Sequence, residues 1–213
     1  MDIIEPGTAE WFESRCGRVT ASRVYDATRK LKNGAWSADR ANYMTELAVE
    51  RLTGQATRHF VSAAMQWGID NEPNARAAYE FLFDVDVLET GFLQHPTIAM
   101  CGATPDGRVE KILQEFKCPT SAEHVRTIMT KEILPEYLAQ MDLQLACEPN
   151  AEAVDFGTYD PRMPPELRLW VFRRMRDPKR IEQLESNVKL FLAELDDMVD
   201  RLRAIGHVAE KAA

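Results

Sequence analysis

Several things are missing from this sequence, and each absence removes a class of protein. No apolar run approaches the roughly 18 residues needed to cross a bilayer, so a membrane protein is not expected. The opening MDIIEPGTAEWF has no basic segment followed by an apolar one, so no secretory signal is read and a cytoplasmic location is expected. The four cysteines, Cys16, Cys101, Cys118 and Cys147, show neither Cys-x-x-Cys nor Cys-x-x-His spacing. They read as reduced, mostly buried thiols rather than as a zinc site or a disulfide framework. A basic surplus is missing too, since 26 Lys and Arg stand against 34 Asp and Glu for a formal net charge of −8. A surface that is basic all round is therefore excluded, whereas a local positive groove on an acidic body still takes a polyanion. No internal repeat, low-complexity tract or linker divides the chain. What is present is 213 residues with 45% hydrophobic and 28% charged, enough for one globular domain with its own core.

Chemistry is concentrated between Ala103 and Thr120, ATPDGRVEKILQEFKCPT. If this stretch is two strands joined at Glu110-Lys111, then Val109 pairs with Ile112, Arg108 with Leu113, Gly107 with Gln114, and Asp106 falls opposite Glu115. Directly opposed residues share a face, with Cβ atoms roughly 4.5–5.5 Å apart. Lys117 lies on the same face because strand side chains alternate, and Phe116 points the other way into a core. Two carboxylates and one ammonium therefore converge. Such a pair of carboxylates either takes up a proton or binds a cation. Mg²⁺ suits it, because one or two carboxylates, a main-chain carbonyl such as that of Phe116, and substrate phosphate complete an octahedron. Beside such an ion, Lys117 would hold or activate water and steady phosphorane charge. The competing reading is an Asp-Gly turn followed by a Glu-x-Lys pattern on a solvated strand face.

Along the rest of the chain, residues 10–22 read as a short helix, a glycine corner and a second helix capped near Thr20. Arg15, Arg18, Thr20 and Ser22 fall together there, either as a phosphate grip or as caps with solvated arginines. Residues 29–37 read as an exposed basic loop carrying Trp36. Helices are expected over 37–53, ending at Gly54, and over 62–83, interrupted near Gly68 and Pro73. Glu72 sits in that second helix, where a helix-dipole role is the default for an early glutamate. Strands are expected over 84–93 and 98–103. Thr120 and Glu123 have capping-box spacing, and Pro135 starts another helix that reaches Cys147. In the latter, Gln140 and Gln144 share a flank that faces either the site or water. Strands over 152–159 and 167–176 follow, the second bearing Arg168, Arg173, Arg174 and Arg176, which line either a DNA path or a solvated face. A helix over 178–205 carries one apolar stripe from Ile181 to Ile205, and residues from Val208 onward read as a frayed tail.

An ordered series of motifs runs through the chain: Trp11 with Arg15 and Val19-Thr20-Ala21-Ser22, Trp67-Gly68 with Glu72 and Ala75-Arg76, Pro105-Asp106-Gly107, and Glu115-Phe116-Lys117-Cys118-Pro119. It continues through Tyr137-Leu138-Ala139-Gln140 and Tyr159-Asp160-Pro161-Arg162-Met163. In this the chain resembles the phage lambda exonuclease (Red alpha, YqaJ-type recombinase) family of the PD-(D/E)xK nuclease superfamily, with a very short connection between Asp106 and Glu115 as the one departure. The resemblance implies an α/β fold, a central mixed β-sheet flanked by helices in a single domain over 1–213. It implies that Asp106, Glu115 and the Phe116 carbonyl hold Mg²⁺ (Mn²⁺ being a possible substitute), that Glu72 helps hold a second ion, and that Lys117 orients or deprotonates the water. Gln140 would sit beside the site, and Arg15 with Ser22 would grip a 5′-phosphate. The implied reaction is 5′-to-3′ digestion of one strand of linear double-stranded DNA to 5′-mononucleotides. Implied partners are DNA ends, two further copies of the chain in a homotrimeric ring, and a single-strand annealing protein. The alternatives are an endonuclease or repair-complex nuclease on the same fold, or an inactive DNA-end-binding module.

Overall fold

The computed structural model describes residues 8–57 and 60–212, with side chains as far as residue 206. Helix α1 (Ala9–Arg15) starts on Thr8, whose hydroxyl accepts the Trp11 N–H at 3.2 Å, and the chain then turns at Gly17 with φ 67. Strand β1 (Val19–Thr20) leads into a 3-10 turn (Ala21–Arg23) and α2 (Val24–Thr28). Thr20 makes no side-chain cap, because it belongs to the strand and its hydroxyl lies 3.4 Å from that of Ser22. Helix α3 (Ala38–Thr53) is capped by Ser37 and stopped by Gly54 in the left-handed region, as the sequence signals imply.

Helix α4 (Ala63–Phe83) passes through Gly68 and Pro73 without interruption, which corrects the expected break. Pro73 cannot donate to the carbonyl of Ile69, but Ile69 lies on the exposed side, where water can satisfy that group. The strands expected next are much shorter: β2 (Leu93–Gln94) and β3 (Cys101–Ala103). Instead of a ladder, residues 84–92 make one isolated bridge to the sheet, Leu88 with Arg108, whose two hydrogen bonds measure 2.9 and 2.8 Å.

Strands β4 (Gly107–Val109) and β5 (Ile112–Lys117) form the expected hairpin in the expected register. Its turn is carried by Glu110 at φ 49, a conformation that two-residue hairpins usually give to Asn or Gly. Helices α5 (Ser121–Thr130), with its capping box, and α6 (Pro135–Cys147) form the crossover to β6 (Ala153–Tyr159), which runs parallel to β5. Strand β7 (Leu169–Met175) closes the mixed sheet in the order β4-β5-β6-β7, and a smaller sheet has the order β1-β3-β2. The sheet is thus two sheets, both flanked by helices.

Alternation along the central strands separates two cores. Leu113, Val154 and Phe156 face a large cluster with α6 and with α7 (Pro178–Ala212), in which Tyr43 and Phe191 stack at 5.7 Å. Phe116 and Tyr159 face a smaller cluster with Ala75 and Tyr79 of α4. The stripe of α7 is buried at Ile181, Val188, Leu192, Leu195 and Val199, while Leu202 and Ile205 are exposed. The helix continues to Ala212 where a frayed tail was expected, no proline or cap being there to stop it. Among the described residues no helix is long and apolar enough to cross a membrane; residues 1–7, on which the signal-peptide reading partly rests, lie outside them.

Candidate active site

Asp106 stands one residue before β4, where its own N–H donates to the Gln114 carbonyl at 3.0 Å and its Oδ2 accepts the Phe116 N–H at 2.6 Å. These two bonds tie the corner across the hairpin and set its carboxylate beside Glu115. Glu115 is buried, with Lys117 donating to Oε1 and the Gln144 amide donating to Oε2. The Lys117 ammonium lies 5.4 Å from the centre of the Tyr137 ring. Asp106, Glu115 and Lys117 therefore meet as their spacing implies.

Glu72 reaches the same place from α4. It pairs with Arg76 one turn later at 3.5 Å, and Arg76 also binds Glu89 and donates to the Asp106 carbonyl at 3.1 Å. Glu72 is thus more than a helix-end charge. Burial, then the charge of Glu115, push its carboxyl above the ordinary carboxylate value, against the pull of Arg76. Burial followed by Glu115 and Glu72 hold Asp106 well above its ordinary value. Lys117 is raised, burial being outweighed by Glu115 and Asp106. The neighbouring Cys118 thiol is pushed up to about 12 by burial, Glu72 and Asp106, so it stays protonated and is no nucleophile.

Cross-bracing holds these elements together. Arg162 lies 4.4 Å from the Trp67 ring of α4 and is bound to buried Asp160 at the end of β6. Burial alone would raise the Asp160 carboxyl, but hydrogen bonds from Arg162 and Ser121 hold it at about 2. All four β7-region arginines are likewise engaged: Arg168 with the Met163 carbonyl, Arg173 with Asp155, Arg174 with Asp142, and Arg176 with main-chain carbonyls. The DNA-path reading of these arginines gives way to internal pairing. Trp36 of the basic loop is flanked by Lys30 at 4.6 Å and Arg40 at 4.2 Å.

The second predicted group assembles next to the first. Arg15 stacks on Trp11 at 4.0 Å and points its guanidinium at the Ser22 hydroxyl, 3.2 Å, and the Thr104 hydroxyl, 3.5 Å. Parallel pairing of Thr20 with Gly102 explains the meeting, since continuing the register brings Ser22 alongside Thr104. Thr104 is two residues from Asp106, so the two groups are separated by about 7 Å of chain. Arg18 is not part of this group and donates to the Ala99 carbonyl.

Gln140 is buried on α6 between Tyr137 and Gln144, one turn from each, on the helix face turned to β5. Contact with Glu115 is made by Gln144, which the sequence left undecided between site and solvent. Thr104 and Arg76 are further additions; Arg76 stands in the motif series without an assigned role, and nothing in the spacing of Thr104 marks it, because it meets Arg15 from another element.

The carboxylates fit a hard divalent cation. No group of three His, Cys, Asp or Glu side chains among the described residues is already gathered around one point. Mg²⁺ needs only one or two carboxylates plus a carbonyl and waters. Asp106, held well above its ordinary value by burial and then by Glu115 and Glu72, is the kind of group a cation relieves.

Comparisons with known proteins agree with this geometry. Residues 10–153 match the YqaJ-like viral recombinase domain. The chain is similar to the crystal structure of an alkaline exonuclease (LHK-Exo) from Laribacter hongkongensis, with 42% identity, a TM-score of 0.87, and coverage of 97% of this chain and 100% of that one. The same values hold for LHK-Exo in complex with dAMP. A phage related exonuclease from Haemophilus somnus 129PT shares the fold, with 14% identity, a TM-score of 0.65, and coverage of 87% and 96%. No curated protein matches significantly.

Proposed function

Because this chain belongs to the YqaJ-like viral recombinase family, we propose that it is a Mg²⁺-dependent DNA exonuclease of the lambda type. In this reading residues 1–213 form one domain. It digests one strand of linear duplex DNA from the 5′ end, releases 5′-mononucleotides and leaves a 3′ overhang. The observation that carries the reading is the adjacency of two groups, an acidic cluster with a lysine and an arginine-hydroxyl cluster two residues along the chain from it.

Asp106, Glu115 and the Phe116 carbonyl would hold Mg²⁺, with Glu72 serving a second ion. The bound ions would lower the pKa of water and offset phosphorane charge. Lys117 orients the attacking water. Arg15, stacked on Trp11, offers a planar fork to a terminal phosphate, with the Ser22 and Thr104 hydroxyls as further donors. A terminal phosphate seated there would bring the next phosphodiester toward the carboxylates, so that each cut would remove one nucleotide.

The homotrimer and the single-strand annealing partner belong to the same proposal and rest on the family. Digestion of duplex carrying 5′-phosphate should be much faster than of duplex carrying 5′-hydroxyl, and Arg15→Ala should remove the difference. Equal rates on both ends by the wild type would sink the assigned pocket.

A further inference from the structure

Glu115 is the only one of the three site carboxylates whose two oxygens are both engaged by side-chain donors, Lys117 on one and Gln144 on the other. The two donors differ in kind. Lys117 is partly exposed, sits at the end of β5 and must turn toward water or phosphate for the proposed reaction. Gln144 is fully buried in the last turn of α6, a helix packed against the sheet and α7. Its amide presents the NH₂ to Glu115, whose carboxylate accepts. The opposite atom, Gln144 Oε1, is buried and without a protein partner. A buried acceptor left open is a place for a water's O–H.

We infer that Gln144 is a positioning residue that fixes the carboxylate of Glu115 in its cation-binding orientation when Lys117 lets go, while its free Oε1 seats a water beside the site. A neutral amide suits this task better than a second cation, which would compete with the metal for the carboxylate. Partners that orient ligating carboxylates typically govern affinity or activity by about 10–100-fold. The same helix presents Tyr137 to Lys117 two turns earlier, so α6 contacts both working residues of β5.

The inference rests on the proposed function, and the experiment separates the two. Mn²⁺ binding to the whole protein without DNA is measured by electron paramagnetic resonance for the wild type, Gln144→Met and Gln144→Asn, with thermal midpoints in chelator as the folding control. Met keeps the volume without a donor, and Asn draws the amide back by one methylene. Whichever of the two folds with a near-normal midpoint should bind Mn²⁺ about 10-fold or more weakly. Unchanged affinity in such a variant overturns the role of Gln144, even if digestion slows. Wild-type protein that neither binds Mn²⁺ nor digests linear duplex overturns the proposed function itself.

Discussion

The surroundings of Asp106 oppose the charge on its carboxylate. Burial and two neighbouring acids raise its carboxyl well above the usual 3.8. A raised acid contributes its full stability below the unfolded value and loses it as pH climbs through the folded one. In the absence of metal, Asp106→Asn should therefore raise the thermal midpoint at pH 7. The gain should shrink toward pH 4, and digestion should be lost. At about 2–4 °C per kcal/mol for a chain of this size, thermal unfolding in chelator at the two pH values resolves this. A lower midpoint at pH 7 would contradict the account. Asp106, Glu115 and Lys117 were legible in the sequence because period-two alternation and one turn suffice to align them. Gln144 was not, because the rotation of α6 about its axis relative to β5 is decided by packing and not by spacing.

Among elements, the hairpin depends on close packing behind it. The Phe116 ring lies over Gly157 of β6, where an added Cβ would come within 2.7 Å of a ring carbon. Phe116 also meets Tyr79 edge-on at 5.8 Å, so the ring has no free direction in which to retreat. Gly157→Ala should cost about 1–3 kcal/mol by overpacking. It should also slow digestion, since Phe116 lies between Glu115 and Lys117 and supplies the carbonyl. Urea unfolding with a parallel nuclease assay checks both, and unchanged values in either contradict the packing argument. Helices were read well where caps announce them, as at Ser37, Thr120 and Pro135. The segment 84–92 was misread as a strand because its apolar residues pack along an edge, and one bridge to Arg108 replaces a ladder.

For the whole molecule, a net charge of −8 and a DNA substrate are reconciled if basic groups line an enclosed channel and the acidic surplus faces outward. Light scattering should then give a mass of three times the 24.3 kDa chain, and a monomer at working concentration would contradict the ring. The family was readable because its motifs recur in order from Trp11 to Arg162; the assembly was not, since a single chain's spacing carries no information on contacts between copies. The most direct test of the exonuclease itself compares linear duplex with covalently closed circular duplex of the same sequence in Mg²⁺. Linear DNA should lose one strand from each 5′ end to mononucleotides while the closed circle stays intact. Cleavage of the closed circle, or a linear duplex left undigested by protein that binds it, would contradict the account.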